Sequence, residues 1–126
     1  LDDFSKINFK SNYFDLIVDR GSITHNSKKE INKIFEKLYK FLKKDGLFFS
    51  TMFSSRHYGN HTKIKNKSFK DEINSKEGLT TSFFNEHEIK KLFSKFKIIS
   101  LHLEENKSLI PDNRKNSAWW FIISKK

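Results

Sequence analysis

Asp19-Arg20-Gly21-Ser22 follows directly on an apolar run, Phe14 to Val18. An acid, a base, a glycine and a hydroxyl at the point where a strand gives way to a turn make a candidate binding loop. The strand fixes such a loop in place and leaves its side chains at the sheet edge. Asp19 or Arg20 could meet a charged group of a ligand. The plain alternative is an aspartate that stabilises its own turn beside a solvated arginine. His25 lies just beyond. Its imidazole could act as a general base; otherwise it is a loop residue. His57 and His61 are four apart, a spacing that suits a metal on a helix. Gly59 lies between them and no third ligand is evident, so no metal site is expected.

These residues need elements to hold them. Phe14 to Val18 reads as a strand, short and continuously apolar apart from Asp15, which suits a parallel sheet covered on both faces. Ser27 and Glu30 have capping-box spacing, and Ile31, Ile34, Phe35, Leu38, Tyr39 and Leu42 follow at helical spacing. Lys33, Lys37, Lys40 and Lys44 line the other side, and Asp45-Gly46 reads as the turn that stops the helix. Leu47 to Phe53 is the second strand. The segment from 54 to 82 is long and polar, and residues 56–81 are expected to form a lid over a pocket. Asn85 and Glu88 repeat the capping-box spacing ahead of Ile89, Leu92, Phe93 and Phe96. Ile98 to Leu103 and Ala118 to Ser124 complete the strands. Strands alternating with helices imply a parallel α/β sheet. The last two have no crossover between them, so they can pair only antiparallel.

The 126 residues suffice for one domain with one core. Fourteen Phe supply apolar surface enough to argue against disorder, and no apolar run reaches membrane-span length. No Cys occurs, which excludes disulfides and thiolate metal sites. No signal peptide is visible, so a cytoplasmic address is the default expectation. The formal net charge of +10 raises nucleic acid or an anionic membrane as partners. Base composition explains the Lys, Asn, Ile and Phe content equally well. Only three Arg occur, although Arg is the preferred bidentate partner of phosphate. Trp119-Trp120 could form a stacking platform; within an apolar strand, core packing is the better reading for at least one ring.

Three segments carry a family resemblance. Asp3-Phe4-Ser5-Lys6-Ile7-Asn8-Phe9-Lys10-Ser11-Asn12-Tyr13-Phe14-Asp15 resembles a stretch of the class I S-adenosylmethionine-dependent methyltransferases. In that family it runs from an adenine-contacting acid, through leucine-proline-phenylalanine, to a serine-phenylalanine-aspartate strand start. Here Ile7-Asn8-Phe9 replaces the middle triplet and Tyr13 the serine. Leu42-Lys43-Lys44-Asp45-Gly46-Leu47-Phe48 resembles the family's leucine-lysine-proline-glycine-glycine turn, with Asp45 for one glycine. Ser82-Phe83-Phe84-Asn85-Glu86-His87-Glu88-Ile89 resembles the opening of the family's helix before its final hairpin. The family's Gly-rich loop and the acid that binds the cofactor ribose are not in this sequence.

The resemblance implies an α/β fold: a partial Rossmann-like methyltransferase sheet, in one partial domain whose parallel strands end in an antiparallel strand pair. It implies S-adenosyl-L-methionine as cofactor and a small-molecule acceptor. Asp3 would accept from the adenine amino group, with Asp2 competing for that role, and the Phe4 amide would face an adenine ring nitrogen. Asp19, Arg20 and Gly21 would lie at the methionine end. Leu1 in place of Met suits a fragment or processed product, whose binding of the cofactor by residues 1–126 alone would be weak. An RNA methyltransferase, favoured by charge, and a non-catalytic binding module are the other two expectations.

Overall fold

The computed structural model describes residues 6–61, 72–74, 78–109 and 116–126. In chain order these form β1 (Phe14–Arg20), a 3-10 turn (Ile23–His25), α1 (Lys28–Phe41), β2 (Leu42–Phe53), α2 (Tyr58–His61), β3 (Glu72–Asn74), β4 (Thr80–Ser82), α3 (Glu86–Leu92), β5 (Lys97–Lys107) and β6 (Asn116–Lys125). Among the described residues one sheet has the order β1-β2-β6-β5, and β3 and β4 make a separate hairpin. β1 and β2 are parallel, with α1 as crossover. β6 is antiparallel to both β2 and β5. The parallel pair and the antiparallel closing pair are those the sequence predicts.

Local chemistry sets the helix starts. Ser27 Oγ accepts from the Glu30 amide at 3.2 Å, satisfying one first-turn donor. The Glu30 carboxylate is turned to Lys33 at 2.8 Å. Asn85 and Glu88 form the full reciprocal box, each bond 2.9 Å.

The C-terminus of α1 corrects one expectation. The helix ends at Phe41 and Leu42 already opens β2, so Asp45-Gly46 does not stop it. The last carbonyls are satisfied from elsewhere: Lys40 by the Asn12 amide at 2.9 Å and Phe41 by the Tyr13 amide at 2.7 Å. Asp45, at φ 65°, takes the left-handed position expected of a glycine. Gly46 is needed for close approach, because a Cβ there would lie 2.9 Å from the Lys43 carbonyl and 3.2 Å from that of Phe14. This is where the register jumps from Phe14 opposite Leu42 to Leu16 opposite Leu47.

The core lies on one face of the sheet. Ile31, Ile34, Phe35, Leu38 and Phe41 from α1 meet Phe48 and Met52 of β2, Trp120 and Ile122 of β6, and Ile89, Phe93 and Phe96 from α3 and its end. Phe35 sits edge-on to Phe93 at 4.9 Å, and Phe93 stacks on Phe48 at 5.7 Å. Trp120 is in this core, its indole N–H donating to the Phe84 carbonyl at 2.8 Å.

The other face corrects a second expectation. Period-two alternation turns Leu16 and Val18 of β1 away from the helices, and they are 54% and 55% exposed. Leu47, Ile99 and Ile123 are exposed as well. The strand is therefore not covered on both faces among the described residues. It is also the sheet's outer strand, with an apolar hollow of about 190 Å³ at its amino end between Phe9, Phe14, Leu16, Ile34 and Phe41. No described helix is long and apolar enough to cross a membrane.

The expected lid carries structure of its own. It holds the helical turn α2 and the β3–β4 hairpin, while 62–71 and 75–77 lie outside the described residues. The last two strands are longer than their apolar runs: β5 continues past Leu103 to Lys107, and β6 starts at Asn116, ahead of Ala118.

Candidate functional site at the carboxyl edge

The parallel strands end side by side, with Asp19 opposite Ser50 and Arg20 opposite Thr51. Asp19 points to the covered face and is 4% exposed. Its Oδ1 accepts from the Ser22 amide at 2.9 Å, the Ser22 hydroxyl at 2.5 Å and the Ile23 amide at 3.2 Å. Its Oδ2 accepts from Ser50 Oγ at 2.9 Å. One carboxylate thus closes the turn after β1 and ties it to β2. A buried carboxylate is tolerated because all four bonds come from fixed donors.

Arg20 is exposed. Gly21 has φ 79° and is buried against Trp119. A Cβ added to Gly21 would meet the Trp119 ring at 3.0 Å, so a glycine is required both by the backbone and by the space. The chain then enters the 3-10 turn, where Thr24 Oγ1 donates to the Ser82 carbonyl at 2.7 Å and His25 Nδ1 lies 3.2 Å from Thr81 Oγ1. Ser82 Oγ donates back to the Asn26 carbonyl at 2.7 Å. Glu72 accepts from the first amide of α1, that of Lys28, at 2.6 Å. The β3–β4 hairpin is thereby fastened over the carboxyl end of β1.

Beside this turn stands a group of rings. Phe53, the last residue of β2, is opposite Trp119 in register, and their ring centres are 4.0 Å apart. His25 meets Phe53 edge-on at 5.6 Å. His57 lies 4.5 Å from Phe53 and carries Tyr58 stacked at 4.6 Å. Phe83 completes the group, 5.5 Å from Phe53. His57 is 8% exposed, and burial holds its pKa below the ordinary imidazole value, so the ring is neutral at pH 7. Its Nδ1 faces the Gly59 amide at 3.0 Å, which assigns Nδ1 as acceptor and the ring proton to Nε2. A polar groove adjoins on the helix side, lined by Ser54, Arg56, Asn85, Glu86 and His87.

Asp19, Arg20, Gly21 and His25 thus gather at one sheet edge. Asp3 and Phe4 lie outside the described residues, as does Asp2. The sequence reading missed the ring group and the Asp19–Ser50 link. Trp119 was the available signal, since it is the tryptophan that does not enter the core.

No protein-family model and no curated protein matches the chain. Its fold does match solved structures. A sheet of this order with helices on one face is the carboxyl-terminal portion of the class I methyltransferase fold. A SAM-dependent methyltransferase from Methanosarcina mazei superposes with a TM-score of 0.71 at 18% identity, over 99% of this chain and 65% of that one. One from Mesorhizobium loti gives 0.68 at 12% identity, over 99% and 67%. The 1,6-didemethyltoxoflavin-N1-methyltransferase of Burkholderia thailandensis, with 1,6-didemethyltoxoflavin and S-adenosylhomocysteine bound, gives 0.68 at 14%, over 98% and 48%. The chain spans from about half to two thirds of the length of these three proteins.

Proposed function

We propose that this chain carries the acceptor side and the adenine edge of an enzyme that transfers a methyl group from S-adenosylmethionine to a small molecule. The observation that carries this reading is the Asp19–Ser22 turn at the end of β1, tied through Ser50 to the neighbouring parallel strand β2, at the carboxyl edge where open α/β sheets bind their ligands. When bound, S-adenosylmethionine supplies an electrophilic methyl group on its sulfonium sulfur.

The residues present suit that cofactor unevenly. Arg20 is an exposed cation at the strand end and matches a carboxylate, such as that of the methionine portion. Asp19 is engaged by four donors of its own chain and acts on the conformation of the loop. Asp3 and Phe4 keep the adenine role that the resemblance gives them. The work left to this chain is orientation, the main requirement when the electrophile is already activated. His25 is the candidate to take a proton from a weak nucleophile, because it sits at the same edge and its ring is exposed. The hairpin segment within 56–81 would bound the acceptor.

The small-molecule reading is supported by the neighbour whose name specifies 1,6-didemethyltoxoflavin. The net charge of +10 favours RNA as a second reading. Transfer of radiolabelled methyl from S-adenosylmethionine into small-molecule and RNA fractions tests both. Label confined to RNA, with steeply salt-dependent RNA binding, would replace the first reading by the second. No transfer into either would leave a binding module.

A further inference from the structure

Phe53, His57, Tyr58, Phe83 and Trp119 come from four separate segments and converge on the rim beside Gly21. Three of them are not buried: Phe53 and Trp119 are half-buried and Tyr58 is 37% exposed. Within this apolar group His57 is held in one tautomer. The Gly59 amide occupies Nδ1, and a Cβ on Gly59 would crowd that nitrogen at 3.1 Å. Nε2 therefore carries the proton, and it makes no hydrogen bond among the described residues. A neutral N–H donor framed by rings recognises one kind of partner: a flat unsaturated ring bearing a hydrogen-bond acceptor. A cation is disfavoured, because Arg20 ends β1, Arg56 lies just past the end of β2, and Asp19 is turned under the sheet.

We propose that Phe53, Tyr58 and Trp119 form the stacking wall of an acceptor pocket for flat aromatic rings, and that His57 Nε2–H donates the hydrogen bond that orients the ring. The proposal rests on the methyl-transfer reading only for the purpose of the pocket. His57 is a positioning residue here, and His25, edge-on to Phe53, remains the candidate base.

The test uses the natively expressed protein and two neutral amides, benzamide and cyclohexanecarboxamide, followed by ligand-observed NMR. S-adenosylhomocysteine is titrated by calorimetry into the same preparation. Benzamide is expected to bind at least about tenfold more tightly than its saturated counterpart, the size of one oriented stacking and hydrogen-bonding contact. His57→Phe keeps a ring and removes the donor, and should weaken benzamide about tenfold. Tyr58→Ala, at a partly exposed position, should weaken it several-fold. Unchanged circular dichroism establishes that both variants fold. Equal binding of the two amides, or benzamide binding indifferent to both substitutions, would overturn the proposal. Benzamide selectivity without heat from S-adenosylhomocysteine would uphold the ring pocket and defeat the methyl-transfer reading. Heat without selectivity would do the reverse.

Discussion

Ser50 Oγ donates to Asp19 Oδ2 at 2.9 Å, across two parallel strands in which these residues are direct neighbours. The bond joins the two strand ends that form the candidate site, while the other oxygen of the same carboxylate holds the turn. Asp19→Ala would leave buried donors unsatisfied and is expected to cost about 1–3 kcal/mol of stability. Asp19→Asn keeps an acceptor and should recover part of the loss. Arg20→Ala, at an exposed position, should stay within about 0.5 kcal/mol. Urea unfolding of the three variants checks the order; an Asp19→Ala protein as stable as the parent would remove the carboxylate from its structural role.

Gly21→Ala combines a left-handed backbone with a ring in the way. The expected cost is more than about 1 kcal/mol, since alanine is strained at positive φ. Because the nearest atoms belong to Trp119, tryptophan fluorescence should shift in the folded variant. An unchanged emission maximum together with an unchanged melting temperature would contradict the close approach.

The pH dependence of stability should carry the mark of His57. Burial lowers its pKa in the folded chain below the ordinary 6.5. As pH falls through that ordinary value, the unfolded chain takes up the proton first, so unfolding binds protons and stability falls. The contribution is complete above the unfolded value and is lost as pH drops through it and on through the lower folded value. Between about pH 7.5 and about pH 5.5, the parent should lose more stability than His57→Phe. Equal losses, measured by urea unfolding at both pH values, would show that His57 is not buried in its neutral form.

Leu16 and Val18 make β1 an apolar outer strand with an exposed face. Such an edge pairs with other chains unless it is covered. Residues 1–126 alone are expected to self-associate with rising concentration, and Leu16→Lys with Val18→Lys should reduce this. Light scattering that finds the parent monodisperse across the concentration range would mean that the edge is protected.

Periodicity made the order of elements legible. The stripe Ile31, Ile34, Phe35, Leu38 could only be a helix, and two strands without a crossover had to pair antiparallel. The Asp45-Gly46 signature was misleading for a physical reason. The pair reads alike whether it caps a helix or bends a strand, and here Asp45 took the left-handed position while Gly46 served a close approach. The open sheet face was hidden because a continuous apolar run reads as buried on both sides. Asp19 was legible as a strand-end acid, but its four partners depend on a turn and on a neighbouring strand that spacing does not encode. The ring group was least legible, because Phe53, Phe83 and Trp119 meet only after β2, β4 and β6 are in place.

The methyl-transfer reading is tested most directly by calorimetric titration of S-adenosylhomocysteine into the natively expressed protein and into residues 1–126 side by side. The Gly-rich turn and the ribose-binding acid that hold most of this cofactor are not among these residues. The expected result is tight binding by the native polypeptide, weakened by about 1–3 kcal/mol in Asp3→Ala. Residues 1–126 alone should give little or no heat. Binding by residues 1–126 as tight as by the native protein, or no heat from either, would contradict the assignment.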